Sequence, residues 1–82
     1  MAFYIDTIEQ IVKDGALAEY GGREKVGEEN SALSKYYKKL SDVSADIGKN
    51  HTYMGIKVIN SLGVVIRQDF VGAYQTEEES EE

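Results

Sequence analysis

The sequence predicts an α+β domain in which two N-terminal helices pack on one face of a C-terminal antiparallel β-hairpin, an α-α-β-β order. Three observations predict it. An apolar stripe at spacings of three and four runs from Leu33 to Ile47, a weaker one occupies the first thirteen residues, and beyond Asn50 the side-chain rhythm changes from near 3.6 to 2.

In the first segment Tyr4, Ile8, Ile11 and Val12, with Ile5 beside them, fall along one helical face. Asp6 and Glu9 in the opening turns and Lys13 near the end suit the helix dipole. Asp14-Gly15 then ends or bends this helix, Ala16 to Tyr20 adds a further turn, and Gly21-Gly22 opens a connector that reaches Asn30.

The second helix carries Leu33, Tyr36, Leu40, Val43 and Ile47 in a 3-4-3-4 pattern, widened by Tyr37 and filled in by Ala32 and Ala45. Asn30 or Ser31 is the expected entry, because either side chain can accept from the first free amides, and Gly48 to Asn50 supplies the exit.

Residues 52–60 alternate Met54, Ile56 and Val58 against Tyr53, Lys57 and Ile59, and residues 64–74 alternate in the same way. Asn60-Ser61-Leu62-Gly63 between them suits a type I turn closed by a left-handed glycine. That turn sets Asn60 opposite Val64 and places Ile59 opposite Val65, Val58 opposite Ile66, Met54 opposite Phe70 and Tyr53 opposite Val71. The predicted core joins the stripe of the second helix to Met54, Ile56, Val58, Ile66 and Phe70, so Leu40→Asp is expected to unfold the chain.

An isolated hairpin leaves both its edges open, which predicts association with a partner strand or a second copy through Tyr53, Ile59, Val65 and Val71, extending the sheet. The alternative is a monomer whose solvated edge is protected by glycines, Lys57, Arg67 and twist.

Length and charge bound the remaining choices. The chain has 82 residues, enough for one core, read as a single domain over residues 1–75 with a disordered acidic tail over 76–82. The net charge of −6 is largely local: Glu77, Glu78, Glu79, Glu81 and Glu82 hold five of the fifteen acids, leaving ten against nine bases. There is no apolar run long enough for a bilayer and no signal-peptide pattern, so a cytoplasmic protein without membrane contact is expected. Cysteine is absent, which removes disulfides, thiolate nucleophiles and cysteine-based metal sites.

Candidate chemistry is sparse. Gly22 to Gly27 matches the start of a phosphate-binding loop, but Glu28 and Glu29 stand where that loop needs Lys and Ser or Thr. His51 is the sole histidine and reads as a helix-exit residue, with Asp42, Asp46 or Asp69 within possible reach; Asn50-His51-Thr52 also fits a glycosylation triplet. The pairs Asp42 with Asp46 and Glu24 with Glu28 lie at helical spacing without the pattern of a calcium loop. No catalytic, cofactor or metal site is therefore expected. Lys35, Lys38 and Lys39 form a strip suited to a nucleic-acid backbone or simply to solvent. Of the six tyrosines, Tyr20, Tyr37 and Tyr53 suit contacts, whereas Tyr4, Tyr36 and Tyr74 suit the core. The preferred reading is a small non-catalytic interaction or accessory protein that associates through the hairpin edge. A nucleic-acid-associated regulator using the lysine strip is the alternative, and an enzyme comes third.

Overall fold

The computed structural model describes residues 2–76; the rest of the predicted acidic tail, residues 77–82, lies outside the described residues. The element order is β1 (Phe3–Lys13), β2 (Ala16–Val26), α1 (Glu29–Asp46), β3 (His51–Asn60) and β4 (Val65–Gly72). The four strands form one antiparallel sheet in the order β2-β1-β3-β4. A single helix packs on one face of it.

The predicted α-α-β-β arrangement is thus corrected to β-β-α-β-β, within the same α+β class. The error lies in the first twenty-six residues. Segment β1 is rich in branched side chains (Ile5, Thr7, Ile8, Ile11, Val12), which favour a pleated backbone. It carries apolar residues on both faces, and two interleaved period-2 rows look like one helical stripe at spacings of three and four. Asp14 and Gly15 both have positive φ, 54° and 80°, and Lys13 faces Ala16. They form a two-residue hairpin turn of the kind Asp-Gly favours. What resembled a helix end is therefore a strand reversal, and the glycine-containing connector becomes an edge strand.

The helix holds its predicted stripe. Ala32, Tyr36 and Val43 are buried, with Leu33, Leu40 and Ile47 packed beside them. Its N-cap is Glu28, two or three residues ahead of the expected entry at Asn30 or Ser31, and no side chain caps it.

The second hairpin turns as predicted: Gly63 has φ 86°, Asn60 N–H donates to Val64 O at 3.0 Å, and Ile59 faces Val65. The Asn60 side-chain oxygen also accepts from the amides of Leu62 and Val64. Between Val58 and Ile59 the register shifts by a bulge, so that Val58 faces Arg67, Met54 faces Val71 and Tyr53 faces Gly72. One extra residue exchanges the faces of everything that follows it: Val71 joins the core, and Phe70, expected inside, stands outside.

The core lies between α1 and the two central strands. Tyr36, Met54, Ile56 and Val58 are its largest fully enclosed side chains, joined by Phe3, Ile5, Val26, Ala32 and Val43. Each large apolar group enclosed there contributes about 1.5 to 3 kcal/mol. Polar clamps ring this interface. Lys35 reaches Glu24 at 2.6 Å, Lys39 reaches Glu9 at 3.0 Å, and the Tyr36 hydroxyl donates to the Asp69 carboxylate.

Candidate functional site: the uncovered face of the sheet

The alternation that aims Ile5, Ile56 and Val58 at the helix aims their neighbours at the opposite face, which no helix or strand among the described residues covers. There the residues align in rows across the four strands. The central row is Gly21, Ile8, Gly55 and Phe70. Ile8 and Phe70 are 49% and 61% exposed, and they stand over two positions that lack side chains. The result is a trough of about 430 Å³ lined by Ile8, Gly21, Gly55, Tyr53, Phe70 and Lys57, among others.

Gly55 makes this shape possible. A Cβ there would stand 3.2 Å from the Phe70 ring and 3.0 Å from the Tyr53 hydroxyl oxygen, so both aromatics lean across the gap. Tyr53 stacks on Phe70 with centroids 6.3 Å apart and meets Tyr74 edge to face at 5.4 Å.

One side of the trough is charged. In the row Arg23, Asp6, Lys57 and Gln68, the Arg23 guanidinium holds Asp6 through two hydrogen bonds of 2.7 and 2.9 Å. That guanidinium, with Lys57 adding to it, keeps the Asp6 carboxyl below its ordinary pKa despite partial burial. Arg23 also lies 5.0 Å above the Tyr4 ring. Two cations flank one carboxylate here, and Lys57 makes no ion pair within 4 Å among the described residues.

The other side is closed by the chain itself. After Gly72, whose φ of +76° turns the backbone out of β4, residues 73–76 cross toward β2. Gln10, the one buried polar residue among those described, fastens them: its Nε2 donates to Gln75 O at 2.8 Å, while its Oε1 accepts from Gln75 N and from Thr52 Oγ1, each at 2.7 Å. Tyr74 donates to Glu19 at 2.5 Å. Sequence reasoning did not single out Gln10, whose amide beside Glu9 looks like an ordinary solvent-facing position.

The predicted interface residues fall in different places. Tyr53 lines the trough; Ile59 lies on the same face but is almost enclosed; Val65 is exposed on β4; Val71 packs against the core. The edge of β3 that was expected to be open is occupied by β1, whereas the outer edge of β4 has no strand beside it among the described residues.

The lysine strip meets carboxylates at each position: Lys35 with Glu24, Lys38 with Asp42 at 3.3 Å and Lys39 with Glu9. Tyr20 and Tyr37 are half-exposed as expected of contact residues, Tyr36 is buried as expected of the core, and Tyr4 and Tyr74 lie instead on the uncovered face.

His51 bonds to carboxylates rather than to helix-end carbonyls. Its Nδ1 lies 2.7 Å from Asp46 and its Nε2 2.8 Å from Glu9, which also holds Lys39. Burial works against a charged ring, but the two carboxylates outweigh it and raise the His51 pKa above its ordinary value. Both ring nitrogens can donate only in the imidazolium, so the geometry fits a charged brace joining α1, β1 and β3. Among the described residues no cluster of three or more His, Cys, Asp or Glu is arranged to hold a metal, and no helix is long and apolar enough to cross a membrane.

By fold this is a small α+β protein; among the described residues one helix covers one face of a four-stranded antiparallel sheet and no element covers the reverse. Comparison of the chain with protein-family models, curated proteins and solved structures gave no match.

Proposed function

We propose that this is a non-catalytic protein-binding domain whose working surface is the uncovered face of the sheet. The observation that carries this reading is the central row: two glycines form the floor, and Ile8 and Phe70 are left in solvent beside them. Folding alone gives no reason to hold two large apolar side chains there. A concave apolar surface with a few fixed polar groups is the usual form of a binding site.

The charge on its rim selects the occupant. Lys57, which makes no ion pair within 4 Å among the described residues, favours a carboxylate beside the apolar contact, so the partner is a protein segment that presents an aliphatic or aromatic side chain next to an acid. A nucleic-acid strand fits less well. Asp6 and Glu19 stand on this face, the chain as a whole carries −6, and each of Lys35, Lys38 and Lys39 on the far side already meets an acid.

The test is an NMR titration of the full chain with an acetylated peptide of alternating leucine and glutamate, against the same peptide with lysine for glutamate and against a thymidine oligonucleotide. The acidic peptide is expected to shift the amides of Ile8, Gly21, Gly55 and Phe70, and Phe70→Ala is expected to cost about 2 kcal/mol or more of its binding, as loss of a central anchor does. Equal shifts with the lysine peptide, or shifts at those residues with the oligonucleotide alone, would overturn the reading.

A further inference from the structure

The sheet has two edges, and they differ. Strand β2 carries Glu19, Gly21, Gly22, Arg23, Glu24 and Lys25, a mixture of glycine and charge that discourages pairing. Strand β4 has only Arg67 and Asp69 among its charges and no glycine before its last residue. From Arg67 to Val71 it is regular, extended and unaccompanied on its outer side among the described residues.

Its two charges are arranged for a particular neighbour. Arg67 faces Val58 and Asp69 faces Ile56, so both lie on the helix side of the sheet, two residues apart. Arg67 makes no ion pair within 4 Å among the described residues, and Asp69 has no cation partner there. The Tyr36 hydroxyl occupies one Asp69 oxygen, Oδ2, and leaves the other available.

Two identical antiparallel strands related by a two-fold axis must be centred on a residue, because paired residues share a face. Centring on Arg67 or Asp69 sets like charges against each other, and centring on Ile66 or Phe70 gives neither charge an opposite partner. Centring on Gln68 places Arg67 of each copy opposite Asp69 of the other, twice over. Opposite charges directly across a ladder stabilise it, and like charges do the reverse.

We infer that the partner of the β4 edge is a second copy of this chain, joined about Gln68 into a continuous eight-stranded sheet. Both helices then lie on one side, and the two troughs lie together on the other. The inference shares the protein-binding reading of the domain but uses the edge rather than the trough, so each can fail without the other.

Because the chain contains no cysteine, the register can be tested directly. Facing Cα atoms in an antiparallel pair are about 4.5 to 5.5 Å apart, within disulfide reach. Gln68→Cys in the full chain is expected to form a disulfide-linked dimer under mild oxidation much faster than Leu62→Cys, a control at another exposed position. Sedimentation of the unmodified chain across concentration is expected to show a dimer, Arg67→Glu a monomer and Asp69→Lys a monomer, whereas an equimolar mixture of the two variants regains a dimer through restored pairs. Should Asp69→Lys fail to fold for want of its Tyr36 contact, the Gln68→Cys comparison and Arg67→Glu decide the matter. A chain that stays monomeric at every concentration, or that crosslinks no faster at position 68 than at 62, would overturn the inference. Peptide shifts retained at Ile8 and Gly55 in Arg67→Glu would leave the trough reading standing.

Discussion

Tyr36 places a phenol ring in the core with its hydroxyl on Asp69, so a single residue joins apolar packing to a charged hydrogen bond. Burial first, and then the Asp69 carboxylate, push its pKa upward, so the hydroxyl stays protonated and donating at neutral pH. Tyr36→Phe keeps the ring and removes the donor; urea unfolding is expected to show a loss of about 1.5 to 3 kcal/mol, as for hydrogen bonds to charged groups. His51 makes the complementary case. Its pKa is raised above the ordinary 6.5, so its stabilising effect is complete below that value and is lost as pH rises through the folded-state pKa. Glu9, ordinarily 4.5, and Asp46, ordinarily 3.8, are both lowered, and their effect is complete above those values and is lost as pH falls through the folded-state pKa of each. Melting temperature is therefore expected to be highest between about pH 4.5 and 6.5, and His51→Gln is expected to remove the decline on the alkaline side. A wild-type profile flat from pH 6 to 9 would show that the brace does not form. Neither pair was legible in the sequence as a pair. Asp46 was one of three acids within possible reach of His51, and Glu9 was placed on a helix far from it.

At the scale of elements, the helix and the second hairpin could be read because each shows one period over its length. The first hairpin could not. Its leading strand is apolar on both faces, which erases the period-2 signal, and its second strand is interrupted by Gly21 and Gly22 and crowded with charge. The decisive local signal was Asp14-Gly15, whose backbone requires the left-handed region twice. Gly15→Ala is expected to cost about 1 kcal/mol or more by denaturant titration, since L-residues resist that conformation; at a helix end with ordinary φ the same change would be neutral or favourable. The segment beyond β4 depends on a different device. Gln10→Ala is expected to abolish exchange protection of the Gln75 amide while leaving the amides of β3 protected, as measured by hydrogen–deuterium exchange. The bulge after Val58 was likewise invisible, because one additional residue in a ladder leaves no compositional trace, yet it decides that Phe70 faces solvent.

For the whole molecule, one helix can cover only one face of a four-stranded sheet, and the described residues contain no second helix to cover the other. The uncovered face is not simply polar. It has a floor of glycine, a wall of aromatic rings, a cationic rim and two large apolar side chains in solvent, and these features together are why we propose a binding role for it. Side chains that serve a partner contribute less to folding than side chains that serve the core. Met54→Ala, in the core, is expected to lose about 2 to 5 kcal/mol. The most direct measurement is therefore the urea unfolding of Ile8→Ser with Phe70→Ser in the full chain, alongside its titration with the acidic leucine peptide. A loss of stability well below that of Met54→Ala, on the order of 1 to 2 kcal/mol for two partly exposed side chains, with peptide binding lost, is the expected result. A loss of stability comparable to that of Met54→Ala, with peptide binding unchanged, would contradict it.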